Sequence, residues 1–216
     1  MQVPPFQTIL LVDGHAIVRR GLRDLVAEDF PRAECGEADS GLAALVEIKR
    51  CAWSLVLLDL SLPGLDGLEV LKEALVIRPR LRILIFSAHD EDQYAIRALR
   101  AGASGYVTKT TTLDTLTAAM RRVLDGGKYV SPKLAEQMVA NLTRGGLDRP
   151  LYEGLSDREL QVLRLLAAGR SVKDIGDGLA LSEKTISTYR TRILGKMNMN
   201  SNGELMRYAL DVGLVD

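Results

Sequence analysis

The chain has 216 residues, a length that suits one domain of ordinary size and a smaller second one. Its 28 basic and 28 acidic residues balance, so the net charge gives no sign of a nucleic-acid partner, and any basic patch must be local. Cys35 and Cys51 lack metal-ligand spacing, no signal peptide is recognisable, and no apolar run reaches the about 18 residues of a membrane span. We therefore expect a soluble, cytoplasmic protein whose cysteines are reduced, although their pairing stays open.

The first half of the chain alternates apolar strand patterns with helical patterns. The predicted strands are Thr8–Val12, Ala33–Ala38, Ser54–Leu58, Arg82–Phe86 and Gly105–Val107. A helical pattern follows each strand, and the last of them, Leu113–Leu124, ends at two glycines. Such alternation within about 125 residues predicts an α/β fold with a doubly wound, five-stranded parallel sheet.

The stretch from Trp53 to Gly67 (WSLVLLDLSLPGLDG) is the centre of this half. A mostly apolar run without alternation leads to a single carboxylate, Asp59, as expected of a strand that is buried on both faces. Pro63 and two glycines then break the chain before the next helix begins. Asp59 should therefore lie at the carboxyl end of a central strand, although this stretch alone fits a helix cap or a paired structural acid equally well.

Polar residues follow the other predicted strands in the same way. Asp13, Asp59, Ser87 and Lys109 each stand at or just past the end of an apolar strand. Because the carboxyl ends of parallel strands share one edge of the sheet, we expect these side chains to converge. Carboxylate oxygens suit a hard cation and an ammonium neutralises a transferred phosphoryl group, so the set predicts a phosphoryl and magnesium site.

With these residues in place, positions 7–125 resemble a receiver domain of the response regulators, which has a flavodoxin-like sheet. The resemblance implies that Asp59 is the phosphoacceptor for a sensor histidine kinase, and that Ser87 and Lys109 contact the phosphoryl group. It also implies that Asp13, Asp59 and the backbone carbonyl of Ser61 hold Mg²⁺, and that Tyr106 is the aromatic switch. Taken singly, Ser87 fits a strand-end cap, Lys109 a solvated side chain and Tyr106 a half-buried ring; the joint pattern favours the receiver.

One residue departs from the receiver pattern. Receivers carry two adjacent acids after the first strand, and here Gly14 takes the place of the second, which is a direct magnesium ligand in that family. Its loss removes a negative charge and an oxygen ligand, so we expect weakened Mg²⁺ binding rather than none. His15 is a poor replacement for Mg²⁺, because imidazole is a softer ligand than this ion favours.

A linker is predicted between two domains. The Ser131–Leu142 segment opens with Ser-Pro, which suits a helix N-cap and first turn. The glycine- and proline-containing stretch Thr143–Gly154 then lacks periodicity. We therefore predict a receiver domain over 1–128, a linker helix and flexible linker over 129–154, and a second domain over 155–216.

The second domain has the pattern of a helix-turn-helix. Ser156 and Glu159 form a capping box before an apolar helix, and a short helix over 171–179 leads through a tight turn to Ser182, the cap of a helix from Glu183 to Met197. The sequence LSDRELQVLRLLAAGRSVKDIGDGLALSEKTISTYRTRILGKM resembles a LuxR-type DNA-binding domain along its whole length. With the receiver, the chain resembles a NarL/FixJ-type response regulator.

Local charge agrees with this resemblance, because residues 184–203 contain four basic side chains and no acid. The resemblance implies that one group of residues engages phosphates of double-stranded DNA: Lys184, Thr185, Tyr189, Arg190 and Arg192. It implies that Ser187, Thr188 and Thr191 face base edges in the major groove, where short side chains favour hydroxyl, methyl or water-mediated contacts. Gly176 stands where the family usually has alanine and should cost its helix up to about 1 kcal/mol.

The last predicted helix, Asn202–Val212, carries an apolar stripe formed by Leu205, Tyr208, Ala209 and Val212. Core packing explains such a stripe by default. The resemblance implies that this helix forms a homodimer on DNA or on phosphorylation, and hence that the target is an inverted repeat.

The sequence therefore predicts a DNA-binding transcriptional response regulator of a two-component system, controlled by phosphorylation of Asp59. The alternative is a DNA-binding protein that acts without phosphorylation and keeps a degenerate receiver, and Gly14 motivates it. Retention of Asp13, Asp59, Ser87 and Lys109 argues against that alternative. Enzymatic activity of the phosphatase type is not expected, because Ser61 stands where a second acid beyond Asp59 would be needed.

Overall fold

The computed structural model describes residues 7–89, 91–143, 150–179 and 181–215, without the side chains at 92, 93, 137 and 140–143. Contacts divide the chain into two compact units, with the boundary between Ala140 and Asn141. The predicted linker glycines Gly145 and Gly146 lie outside the described residues. None of the described helices is both long and apolar enough to span a lipid bilayer.

The first unit is a five-stranded, all-parallel sheet with the strand order β2-β1-β3-β4-β5. Its strands are β1 Gln7–Val12, β2 Ala33–Ala38, β3 Leu55–Leu58, β4 Ile83–Ser87 and β5 Gly105–Thr108. Its helices are α1 Ala16–Asp29, α2 Gly41–Arg50, α3 Gly67–Ile77, α4 Glu91–Arg100 and α5 Leu113–Leu124. Helix α6, Pro132–Thr143, begins in this unit and extends past its last residue, Ala140. The predicted fold class is thereby confirmed.

Burial of the two central strands explains their uninterrupted apolar sequences. Every residue of β3 and β4 is buried, since both faces of the sheet are covered. On one face, Leu11, Leu57 and Phe86 pack in a single cluster with apolar residues of α1 and α5. The core therefore holds the strand ends at fixed relative positions. The polar residues that follow the strands are fixed relative to one another for the same reason.

The chain beyond α5 continues along the outer edge of the sheet. Tyr129 pairs with Gly105 of β5 as a parallel bridge, and the Lys128 ammonium donates to the Ala103 carbonyl at 2.7 Å. The Ser131 hydroxyl caps α6 by accepting from the Leu134 N–H at 3.0 Å, and it also donates to Glu91 Oε2 at 2.8 Å. Because Leu134 is fully buried, the start of α6 belongs to the packing of the first unit.

The second unit is helical. A 3₁₀ turn at Leu151–Gly154 precedes four helices, α7 Asp157–Ala167, α8 Val172–Leu179, α9 Glu183–Met197 and α10 Asn202–Asp211. Its core is apolar and fully buried, with Leu160, Leu163, Ile186, Ile193, Leu205 and Ala209 at its centre. This confirms the predicted helical domain.

Polar contacts of Glu159 and Arg158 fix the helices of the second unit. The predicted capping box is confirmed: the Ser156 hydroxyl accepts from the Glu159 N–H, and Glu159 Oε2 accepts from the Ser156 N–H at 2.7 Å. Glu159 Oε2 also accepts from Lys196 Nζ at 2.6 Å, which joins α9 to α7. The buried guanidinium of Arg158 donates to the Leu179 carbonyl at 3.2 Å and so satisfies the end of α8.

Candidate functional site

Asp13 and Asp59 lie side by side at the carboxyl edge of the sheet. Val12 pairs with Leu58 in the register of β1 and β3, so the next residue of each strand places a carboxylate at this edge. Both side chains are only 1% exposed. Two buried carboxylates are expensive unless a cation or hydrogen-bond donors compensate them.

Lys109 supplies that cation. It follows β5, and its ammonium donates to Asp13 Oδ2 at 2.5 Å and to Asp59 Oδ2 at 2.7 Å. Burial alone would lower the pKa of Lys109, but the hydrogen bonds to Asp13 and Asp59 outweigh it and raise the pKa above its usual value. The predicted convergence of these three residues is confirmed, whereas their roles in chemistry remain predictions.

The remaining carboxylate oxygens differ from each other. Asp13 Oδ1 accepts from the His15 N–H at 2.8 Å and lies 3.2 Å from Nδ1 of the His15 ring. Asp59 Oδ1 is buried and has no hydrogen-bond partner among the described residues. Ligand atoms of Asp13, His15 and Asp59 all lie within 4.8 Å of one another, so they could share a metal ion. An unpaired buried oxygen beside a second carboxylate fits a hard divalent cation.

Gly14 lies against the loop that follows Asp59. A Cβ atom at this position would approach Pro63 Cδ to 3.1 Å, which is a tight contact that the proline ring must relieve by a small shift. An acidic side chain at position 14 is therefore possible only with an adjustment of the loop.

Gly67 brings the start of α3 against the backbone of Asp59. A Cβ atom on Gly67 would lie 2.5 Å from the Asp59 carbonyl oxygen and 2.5 Å from Leu60 Cα. The Gly67 N–H donates to the Leu60 carbonyl at 3.1 Å, and Asp66 caps the helix by accepting from the Leu68 N–H at 2.8 Å. Only glycine permits this approach, which fixes the position of the residues after Asp59.

Ser87 and Tyr106 meet at His89, a residue that sequence reasoning missed. The fully buried Ser87 hydroxyl accepts from the His89 N–H at 3.2 Å, and the Tyr106 hydroxyl donates to the His89 carbonyl at 2.9 Å. Burial raises the pKa of Tyr106 far above its usual value, and a hydrogen bond with Ser87 opposes that rise only in part. Tyr106 is therefore a neutral, fully buried donor.

The His89 ring connects two loops at this edge. Its Nε2 lies 3.0 Å from the Ser61 hydroxyl, and the ring stacks on Tyr94 of α4 with centroids 4.6 Å apart. Ser61 was predicted to act through its backbone carbonyl, and the contact observed here belongs to its side chain. The only sequence signal for His89 is its position two residues beyond the end of β4.

The predicted DNA-contacting residues lie on α9. The hydroxyl of Ser182 caps this helix by accepting from the Thr185 N–H at 3.1 Å. Lys184, Ser187, Thr188, Thr191 and Arg192 are exposed, and Thr185, Tyr189 and Arg190 are partly buried. Ile186, Ile193 and Met197 occupy the opposite, buried side. The helix therefore presents a small, polar and basic face outward from its own unit.

Gly176 shapes the turn between α8 and α9. Its carbonyl accepts from the Leu181 N–H at 2.8 Å, and a Cβ atom on Gly176 would lie 2.7 Å from the Leu181 carbonyl oxygen. The sequence indicated only that Gly176 lowers helix stability. The structure shows that this glycine also makes room for the turn, which passes close to its Cα.

The residues predicted to mediate dimerisation have unequal surroundings. Leu205 and Ala209 are fully buried in the core of the second unit, and Tyr208 is partly buried, with its hydroxyl accepting from the Tyr152 N–H at 3.4 Å. Val212 is exposed. Met206 and Leu210 are further exposed apolar side chains on α10.

Comparison with known proteins agrees with both halves of the chain. Residues 9–121 match the response regulator receiver domain, and residues 153–209 match the bacterial regulatory proteins of the luxR family. Over 208 residues the chain is 35% identical to the response regulator GacA of Pseudomonas protegens, covering 96% of this chain and 97% of that protein.

Solved structures agree as well. A two-component response regulator of the LuxR family from Aurantimonas sp. SI85-9A1 is 35% identical, with a TM-score of 0.58 over 63% of this chain and 97% of that chain. RcsB from Salmonella enterica serovar Typhimurium, bound to promoter rprA in the presence of the phosphomimetic BeF3⁻, aligns with a TM-score of 0.62. That alignment covers 94% of this chain and 97% of that chain at 24% identity, so it supports the fold alone.

Proposed function

Because the chain belongs to the response regulators that join a receiver domain to a LuxR-type DNA-binding domain, we propose that phosphorylation of Asp59 controls its binding to DNA. A sensor histidine kinase would supply the phosphoryl group. The observation that carries the proposal is the difference between the two carboxylate oxygens of Asp59. Oδ2 accepts a hydrogen bond from Lys109, whereas the buried Oδ1 has no hydrogen-bond partner among the described residues.

The proposed transfer uses Asp59 as the nucleophile. Its carboxylate oxygen forms a bond to phosphorus while the bond from phosphorus to the kinase histidine breaks; the imidazole leaves with that electron pair and takes up a proton. Lys109, which donates to Asp59 Oδ2, would neutralise the added charge, and the Ser87 hydroxyl would donate to a phosphoryl oxygen. No enzymatic turnover of a separate substrate is proposed.

A divalent cation would support this step by neutralising charge on the incoming phosphoryl group. Asp13, Asp59 and the carbonyl of Ser61 are the residues that would hold Mg²⁺, as receiver domains generally do. Gly14 leaves this set without a third carboxylate, so Mg²⁺ binding should be weak.

His89 is the proposed route from the site to the rest of the receiver. When Ser87 turns its hydroxyl towards a phosphoryl oxygen, the N–H of His89 and the hydroxyl of Tyr106 follow, because all three are hydrogen-bonded. His89 stacks on α4 through Tyr94, and Glu91 of α4 accepts from Ser131 at the start of α6. A shift at Ser87 would therefore reach the linker helix through α4.

DNA binding is assigned to α9 as the recognition helix. The basic residues of this helix would contact phosphates, and Ser187, Thr188 and Thr191 would face base edges. A homodimer on an inverted repeat remains part of the proposal. Its interface on α10 would use the exposed Met206, Leu210 and Val212, because Leu205 and Ala209 are enclosed by their own unit.

The second candidate function is DNA binding without phosphorylation, which Gly14 favours. One experiment separates the two: the purified chain is incubated with a small phosphodonor and a divalent cation, and its intact mass is measured. We expect a gain of one phosphoryl group that Asp59→Asn abolishes and that the exposed-residue control Asp24→Asn retains. No gain in the folded chain at high cation concentration would contradict control by phosphorylation and leave the second candidate.

A recognition-helix variant tests the other half. Arg192→Ala should weaken binding to all DNA sequences alike and reduce the salt dependence by about one counterion, because phosphate contacts are independent of sequence. Thr188→Ala should instead relax the preference at one position of the site. Fluorescence anisotropy at several salt concentrations measures both effects, with Arg207→Ala on α10 as the control, and equal behaviour of all three variants would contradict the assignment.

A further inference from the structure

We propose that His15 takes the place of the carboxylate missing at Gly14, so that Asp13, His15 and Asp59 bind a first-row transition-metal cation such as Mn²⁺ or Co²⁺ more tightly than Mg²⁺. The site would contain two carboxylate oxygens and one imidazole nitrogen. Water and the other groups at the sheet edge would complete its coordination.

The distance between the Asp13 and His15 side chains fits two ligands of one ion. Two ligand atoms that each lie about 2.1 Å from an ion, at an angle of about 90–110°, are separated by roughly 3.0–3.4 Å. His15 Nδ1 and Asp13 Oδ1 are 3.2 Å apart, and ligand atoms of all three residues lie within 4.8 Å. His15 is the exposed member of the set, so its ring can adjust towards the two buried carboxylates.

Asp59 provides an independent indication of a ligand. Its side chain is almost entirely buried, and its Oδ1 has no hydrogen-bond partner among the described residues. A buried carboxylate oxygen in a native protein is normally satisfied, and an unsatisfied one indicates a partner such as an ion. The same carboxylate belongs to the cluster with Asp13 and His15, and we infer that its unsatisfied oxygen would receive the ion.

The mixture of ligands determines which ion is favoured. Mg²⁺ prefers oxygen ligands in a near-octahedral arrangement and loses its water reluctantly. Imidazole nitrogen suits transition-metal ions, and affinities for such sites rise from Mn²⁺ to Co²⁺. Replacing an acid by glycine and placing histidine next in sequence therefore changes the selectivity of the site as well as weakening Mg²⁺ binding.

The charges at the site also permit a divalent ion. Asp13 and Asp59 together carry two negative charges and Lys109 carries one positive charge, which leaves the cluster net negative. Lys109 is 17% exposed and has a flexible side chain, so its ammonium can move aside while remaining near the carboxylates. The ion and Lys109 would then share the two carboxylates.

His15 can be changed without disturbing the helix that follows. It occupies the N-cap position of α1, but its side chain makes no capping hydrogen bond there. The ring is 68% exposed. His15→Ala is therefore expected to fold, and circular dichroism of the variant verifies this.

The test measures binding of Mg²⁺, Mn²⁺ and Co²⁺ alone to the full chain by calorimetry, together with electron spin-echo detection of nitrogen bound to Mn²⁺. We expect affinities to rise from Mg²⁺ to Co²⁺, and the advantage of Co²⁺ over Mg²⁺ to fall by about ten-fold or more in His15→Ala. The nitrogen signal should disappear in His15→Ala and persist in Arg20→Ala, an exposed residue of α1. Gly14→Asp should raise Mg²⁺ affinity.

Three results would overturn the proposal: an unchanged advantage of Co²⁺ over Mg²⁺ in His15→Ala, no nitrogen signal from the wild-type chain, or a signal that only His89→Gln removes. Only the role of the ion, which would assist phosphoryl transfer to Asp59, rests on the proposed function. The binding of the ion does not depend on it. Metal selectivity that depends on His15 without any phosphorylation would refute the proposed function alone. Phosphorylation that Mg²⁺ supports equally well in His15→Ala, with an unchanged advantage of Co²⁺ over Mg²⁺ in binding, would refute this inference alone.

Discussion

The two units of this protein build their sites in opposite ways. In the first unit, Lys109 bonds Asp13 across 96 positions of sequence and also bonds Asp59, so three charged groups pair at the buried edge of the sheet. In the second unit, the predicted DNA contacts follow one another along α9 and are mostly exposed. The first site therefore contributes to the stability of its own fold, whereas the second holds its polar groups available for another molecule.

The hydroxyls of α9 illustrate the second arrangement. Thr188 Oγ1 donates to the Lys184 carbonyl at 2.9 Å, and Thr191 Oγ1 donates to the Ser187 carbonyl at 3.1 Å. Both bonds lie within one turn and can be exchanged for an external partner without changing the packing of the unit. Removal of such a group should change binding, while removal of a charge from the first site should change stability.

The test with the largest expected effect on stability replaces one lysine in each unit. Lys109→Met leaves two buried carboxylates without their cation and should lower the free energy of unfolding of the first unit by about 3–5 kcal/mol. Lys196→Met is the matched change in the second unit, where the lysine is 47% exposed, and should cost about 1 kcal/mol or less. Urea unfolding followed by hydrogen exchange resolves the two units.

Repeating the experiment with an added divalent cation separates the two units further. The cation should raise the free energy of unfolding of Lys109→Met, because an ion can replace the ammonium between Asp13 and Asp59. The free energy of unfolding of Lys196→Met should not change. Equal losses in both variants, or no response to the cation, would mean that the two sites do not differ as described.

The second test uses pH, since each unit should weaken at a different end of the scale. The pKa of Lys109 is raised in the fold, so its contribution is complete below the unfolded value of about 10.4 and is lost as the pH rises through the folded value. Burial alone would raise the pKa of Glu159, but hydrogen bonds from Lys196 and Ser156 lower it overall. The contribution of Glu159 is therefore present above about pH 4.3 and lost as the pH falls through the folded value.

Calorimetric unfolding between acid and alkaline pH checks these directions. Glu159→Gln should flatten the acid limb of the second unit, and Lys109→Met should flatten the alkaline limb of the first. A change in the limb of the other unit would show that the assignment of these groups is wrong.

The substitution with the smallest expected effect stabilises the second unit and lies outside both sites. A Cβ atom on Gly178 meets no atom within 4 Å, so Gly178→Ala should raise the free energy of unfolding by up to about 1 kcal/mol. Gly176→Ala, two positions away, should give no gain because its Cβ would press on the Leu181 carbonyl. Thermal unfolding measures both, and a similar gain from both variants would contradict the close approach at this turn.

Much of the fold could be predicted because local signals and tertiary structure agree. The apolar runs of β3 and β4 indicated strands covered on both faces, and the Ser156–Glu159 pair indicated a capping box that the structure contains. The convergence of Asp13, Asp59 and Lys109 followed from parallel topology alone. Here the order of elements determines which residues meet.

Other features could not be predicted because they depend on distances between loops. The contacts of His89 with Ser61 and Tyr106 join segments 28 and 17 positions apart, and no periodicity signals them. Likewise, the apolar stripe of α10 indicated a buried face but not what covers it. Leu205 and Ala209 are covered by their own unit, which spacing along a helix cannot distinguish from a partner surface.

The segment after α5 has a consequence for exchanging receivers between regulators. Tyr129 pairs with the outer strand, Ser131 bonds to α4, and Leu134 fills a buried position, so the sheet of this receiver is finished by residues that lie past its last predicted helix. A chimera joined at residue 128 would leave the outer strand bare and remove the cap of α6. A junction beyond residue 140 keeps the receiver whole. It also transfers the hydrogen bond between Ser131 and Glu91 together with the receiver domain.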